Sequence, residues 1–141
     1  MIDLPPDCQA ALLEPLMQQI YQVESEFNPF AIGVVGARLV RQPKNLDEAV
    51  ATVDYLSKLG RNFSIGQGQV NKYHFVRLGW DSDIEAGFDV CKNVVAAYEI
   101  FSSSAHRLRV GSRQKQRPFG GRRGAMLGFV GVYQRQLRPR K

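Results

Sequence analysis

Between residues 9 and 25, Leu12, Leu13, Leu16, Met17, Ile20 and Val23 recur at three- and four-residue steps, the spacing that gathers apolar side chains on one face of a helix. Pro5, Pro6 and Asp7 stand before its entry. Asn28-Pro29 marks its exit, because the residue before a proline avoids helical dihedrals. A second helix is predicted over 46–59, with Leu46, Ala49, Val50, Val53, Leu56 and Leu59 as its buried stripe. Asn45 is its N-cap, Glu48 sits at the capping-box position, and Gly60 is its stop. A third helix, from about 89 to 103, presents Cys91, Val94, Val95, Tyr98 and Phe101 on one face. Residues 37–41 alternate in the manner of a short strand, and residues 62–65 do the same before a glycine-punctuated loop over 66–71. The pattern predicts an α+β body that is mostly helical, with one small hairpin-like β feature.

Composition adds one surprise. The 141 residues carry a formal charge of +6, which invites a nucleic-acid reading, but the average conceals a split. Residues 1–105 hold 8 basic and 13 acidic residues, whereas residues 106–141 hold 11 basic and no acidic ones. The basicity belongs to the tail, and a charge run of this kind is most often a solvated segment. The length suffices for one domain with a real core. No stretch approaches the roughly 20 apolar residues of a membrane span, and the N-terminus lacks the basic and apolar regions of a secretory signal. Cys8, Cys91, His74 and His106 have no ligand-like spacing, so neither a metal nor a cofactor is expected.

Two places carry candidate chemistry. Glu24 lies four residues after Ile20 and so extends the apolar face at the C-terminal end of the first helix, where a carboxylate is unusual. An apolar setting raises a glutamate's pKa toward neutrality and makes it a general acid. The residues alone leave open a plainer reading, a Glu that snorkels to water or pairs with an arginine. The loop 66–71 offers glycines that permit close backbone approach, with the Gln69 and Asn71 amides able to bind an extended polar ligand such as a sugar. Gly66-x-Gly68 is equally an ordinary turn and lacks the third glycine of a dinucleotide fingerprint.

Several separated motifs carry a resemblance. Glu24-Ser25-Glu26-Phe27-Asn28-Pro29-Phe30-Ala31 resembles the Glu-Ser-x-Phe-Asn-Pro-x-Ala block of the soluble lytic transglycosylase family. Arg41-Gln42-Pro43, Asn62-Phe63-Ser64-Ile65-Gly66, Gly68-Gln69-Val70-Asn71 and Phe88-Asp89-x-Cys91-Lys92-Asn93 resemble the branch of that family serving type IV secretion and conjugation systems. The resemblance covers about residues 8–105 and implies a lysozyme-like lobe that cleaves the MurNAc–GlcNAc bond of peptidoglycan to a 1,6-anhydromuramoyl product. It assigns Glu24 as the catalytic acid and base and Gln69 as the glutamine of the family's Gly-Leu-Met-Gln-Ile block, with Ser25 and Asn71 as further substrate contacts. Gln67 and Gly68 stand where that block has Leu and Met. The resemblance further implies a periplasmic location, with glycan strands and secretion or conjugation components as partners. For such an enzyme a Cys8–Cys91 disulfide is the expectation, two buried free thiols being the alternative.

The tail departs from the family. Where a block resembling Ala-Leu-Ser-x-Tyr-Asn-x-Gly-Asn-Phe is due, residues 106–141 are rich in Arg and Gly with no amphipathic rhythm. Codons for residues 129–137 read one base later are compatible with such a block. The tail is therefore read as a frame-shifted or disordered segment, and the C-terminal lobe as incomplete. Two other functions follow from this departure: a non-catalytic secretion-system assembly factor, and, more weakly, nucleic-acid binding through the tail.

Overall fold

The computed structural model describes residues 3–108; of the basic tail 106–141, all but its first three residues, and with them its frame-shifted reading, lie outside the described residues. Helix α1 (Pro6–Leu13) is followed by α2 (Pro15–Ser25), so the single N-terminal helix expected from the periodicity is two. The cause is Pro15. It forces Glu14 into an extended conformation at φ −63°, ψ 120°, and the Glu14 carboxylate then caps α2 by accepting from Met17 N–H at 3.0 Å. The break also rotates the buried face. Met17, Tyr21 and Ser25 point inward, while Leu13, Leu16 and Val23, expected in the apolar stripe, are exposed. Tyr21 is wholly enclosed, and its hydroxyl donates to Ala11 O at 2.8 Å, tying α2 back to α1.

Strand β1 (Ile32–Val34) pairs antiparallel with β2 (Phe63–Ile65), which pairs antiparallel with β3 (Val70–Asn71). The register sets Ile32 opposite Ile65 and Ile65 opposite Val70, so the small hairpin-like feature expected from the pattern is a three-stranded sheet, of which 62–65 supplies the middle strand. The segment 37–41 is not a strand. Ala37 and Leu39 do point inward and alternate with exposed Arg38 and Val40, but no neighbouring strand pairs with them. Alternation reported burial on one side, which is necessary for a strand and insufficient for one.

Helix α3 (Leu46–Lys58) forms the insert between β1 and β2, and Asn45 accepts from Glu48 N–H at 2.9 Å as its N-cap. Its C-terminus closes through Gly60 at φ +68°, with Arg61 N–H reaching Leu56 O at 3.0 Å. The half-buried Arg41–Glu48 ion pair at 2.8 Å fastens the start of the insert. Leu59 lies past the helix and is exposed, so the buried stripe is Ala49, Thr52, Val53 and Leu56.

A 3-10 turn (Lys72–His74), α4 (Phe75–Leu78) and α5 (Ile84–Phe88) lead into the long helix α6 (Val90–Leu108). A disulfide joins Cys8 on α1 to Cys91 on α6 across 83 residues of sequence. The core lies where these helices meet the sheet, around Tyr21, Ile32, Phe63, Ile65, Trp80, Phe88 and Val94. The architecture is a mostly helical, lysozyme-like α+β fold with a small antiparallel sheet. Among the described residues no helix is long and apolar enough to cross a membrane.

Candidate active site

Glu24 stands in the last turn of α2, half-buried, and its carboxyl makes no hydrogen bond or ion pair among the described residues. Burial raises its pKa above the ordinary carboxylate value, because the charged form loses hydration. Of the readings left open by the sequence, pairing with an arginine is not realised among the described residues. A half-buried carboxyl without a partner retains its proton to higher pH than a surface glutamate does.

The end of α2 is shaped to hold this group. Ser25 is 1% exposed, and its Oγ lies 2.7 Å from Gln67 O and 2.9 Å from Tyr21 O. One hydroxyl carries one proton, so it donates to one of these carbonyls at a time. Either way, the hydroxyl is enclosed between α2 and the β2–β3 loop, where it joins the two elements. The chain then leaves the helix through Glu26 at φ +54° and Phe27 at φ +58°, both left-handed. The third non-glycine residue with positive φ among the described residues is Gln69, at +51°. Such conformations cost free energy and persist where surrounding contacts enforce them; here they flank Glu24 and occupy the β2–β3 loop.

That loop is held by Asn93 of α6, which is 1% exposed. Its Oδ1 accepts from Gly68 N–H at 2.7 Å, and its Nδ2 donates to Ile65 O at 3.0 Å and Gly87 O at 2.9 Å. The two loop glycines are required by this contact. A Cβ at Gly66 would lie 2.1 Å from Asn93 Nδ2, and one at Gly68 would lie 2.4 Å from Ala97 Cβ. The close approach that these glycines permit is therefore to helix α6. The same contact leaves no room at residue 68 for the larger side chain that the family block carries there.

Gln69 is half-buried, and its Nε2 donates to Ala31 O at 3.1 Å and Gly66 O at 2.9 Å. Two carbonyl acceptors fix the amide orientation, because only the nitrogen can donate to them. Its Oε1 has no protein donor among the described residues. Asn71 is differently placed. Its Oδ1 accepts from Tyr73 N–H at 3.0 Å, and its Nδ2 donates to Asn62 Oδ1 at 3.0 Å and Ser64 Oγ at 3.2 Å. Its amide thus braces the hairpin and caps the turn that follows.

The structure accordingly joins Glu24, through Ser25, to the loop that carries Gln69. Asn93 and Gln42, whose amide binds Ile32, also support this region, and periodicity could not single them out. Their partners lie 6 to 28 residues away in sequence, and neither residue breaks the pattern of its own element.

A family model described as the transglycosylase SLT domain matches residues 6–113. The chain is 45% identical over 104 residues to the type IV secretion system protein virB1 of Brucella abortus, and equally to those of Brucella melitensis and Brucella suis. Each alignment covers 74% of this chain and 43% of the relative, so the chain spans less than half the length of these relatives. No solved structure matches it.

Proposed function

The chain belongs to the transglycosylase SLT family, and on that premise we propose that it cleaves the β-1,4 bond between MurNAc and GlcNAc in peptidoglycan, with Glu24 as its catalytic carboxyl. The observation that carries this reading is the state of Glu24: half-buried, without an ion-pair partner among the described residues, and raised in pKa by burial. A protonated Glu24 donates to the glycosidic oxygen as the bond breaks. The carboxylate left behind takes the proton of the C6 hydroxyl, which closes on C1 of MurNAc and gives the 1,6-anhydro product. The same carboxyl acts first as acid and then as base, so the sugar's own hydroxyl replaces the water that a second carboxylate activates in inverting glycosidases.

Gln69 presents its Oε1, which meets no donor among the described residues, as an acceptor for a sugar hydroxyl or N-acetyl N–H, and its position is set by the two carbonyls that hold its nitrogen. Ser25 is a positioning residue, since its hydroxyl is engaged with backbone carbonyls. Asn71, whose amide is similarly occupied, supports the hairpin beside the site.

The likeness to a type IV secretion system protein supports a role in opening the wall for such an apparatus. The Cys8–Cys91 disulfide supports residence in an oxidising compartment, which in a bacterium is the periplasm. Digestion of purified sacculi tests the reading. Wild type is expected to release soluble muropeptides and Glu24→Gln to release none, whereas a wild type that binds sacculi without releasing fragments is an assembly factor.

A further inference from the structure

The outer edge of β1 is closed by a side chain. Gln42 Oε1 accepts from Ile32 N–H at 2.7 Å, and Gln42 Nε2 donates to Ile32 O at 3.2 Å, the pair of bonds that a neighbouring strand would make. On the other edge, Ala31 O accepts from Gly66 N–H at 2.8 Å and from Gln69 Nε2 at 3.1 Å. The Ile32 N–H and the Ala31 C=O belong to one peptide unit, which is planar and rigid. Gln42 therefore grips one end of a plate whose other end holds the Gln69 amide. Donation by the N–H to Gln42 also polarises that unit and strengthens its carbonyl as an acceptor.

We propose that Gln42 is a positioning residue for Gln69, acting through the peptide unit between Ala31 and Ile32 to aim Gln69 Oε1 at the bound glycan. The aim at a glycan rests on the function proposed above; the mechanical link between Gln42 and Gln69 does not. Without Gln42, the peptide unit keeps its Gly66 bond and tilts about it, the Ala31 carbonyl leaves the Gln69 nitrogen, and the left-handed turn at Gln69 loses one of its two anchors.

Two readouts on the full chain separate the link from the chemistry. In a nitrogen-15-labelled sample, the Gln69 side-chain amide protons are expected to be shifted and slow to exchange in wild type. In Gln42→Met, which keeps the side-chain length and removes both polar groups, the proton bound to the Ala31 carbonyl should move toward its free-amide position while the one bound to Gly66 stays. Gln42→Glu should regain the wild-type signature as its carboxyl protonates, because a neutral carboxyl again offers one donor and one acceptor. It also serves if Gln42→Met fails to fold.

On glycan substrate, Gln42→Met should lower kcat/KM about tenfold, and that loss should vanish in a Gln69→Met background. Unmoved Gln69 resonances, or an equal loss in both backgrounds, overturn the proposal. A wild type without lytic activity removes the function proposed above, and the resonances still decide whether Gln42 holds Gln69.

Discussion

The Ser25 hydroxyl lies 2.7 Å from the carbonyl oxygen of Gln67, so the residue beside Glu24 is fastened directly to the loop that ends in Gln69. The two groups proposed to meet substrate, Glu24 and Gln69, thus sit on elements locked by a buried contact between residues 42 positions apart. Ser25→Ala removes that lock and leaves a buried carbonyl short of a donor. It should cost about 1–3 kcal/mol in urea unfolding. Under conditions where the variant remains folded, it should also lower kcat/KM about tenfold or more, since small misplacements of catalytic groups are expensive.

The loop glycines provide a graded test of packing. Gly66 has φ +78° and a Cβ there would meet Asn93 Nδ2 at 2.1 Å, whereas Gly36 has φ +80° and nothing within 4 Å. Gly36→Ala should cost about 1–2 kcal/mol, the backbone penalty alone. Gly66→Ala should cost roughly 2–3 kcal/mol more, because Asn93 must give up its three bonds or move. Equal thermal midpoints for the two variants would show that Asn93 yields freely.

The part of this arrangement legible in the sequence is the part made by near neighbours. Asn45, Glu48 and Gly60 delimit α3 because capping is settled within a few residues of each helix end. Glu24 is conspicuous because a carboxylate interrupts an apolar stripe. Pro15 carried an equally local signal that the stripe obscured: apolar residues continue on both sides of it, while the polypeptide turns at Glu14 and buries Tyr21 in place of Leu16. Asn93 and Gln42 differ in kind. Each satisfies backbone groups on an element distant in sequence, and no periodicity encodes that. The glycines were legible as sites of close approach, but the partner, helix α6 in place of a ligand, was not.

On the proposed mechanism, titration of Glu24 should set the alkaline side of the pH profile. Its pKa is raised in the folded protein, so folding favours the protonated form. The associated stability is present below the unfolded carboxyl pKa and is lost as pH rises through the folded value. Glu24→Gln should accordingly be more stable than wild type at neutral pH and should lose that advantage in acid, as measured by urea unfolding across pH. Lytic activity of wild type should fall as pH rises through the same titration, because the first step needs the proton.

The disulfide couples α1 to α6, and α1 in turn holds Tyr21 through the Ala11 carbonyl. Burial and the nearby Glu14 charge push the Tyr21 pKa up to about 12, so its hydroxyl remains a donor throughout the working range. Replacing both cysteines by serine, or reducing them, should cost about 2–5 kcal/mol for a closed loop of this length. Thermal unfolding with and without reductant measures it, and an unchanged midpoint would show that the helices hold without the bond.

The central claim is that Glu24 alone supplies acid and base while the sugar supplies the nucleophile. Mass analysis of the muropeptides released from sacculi tests it most directly. Wild type should produce anhydromuramoyl ends that borohydride cannot reduce, each one water lighter than a hydrolysis product, and Glu24→Gln should produce none. Reducible ends from wild type, or the same products from both proteins, would contradict it.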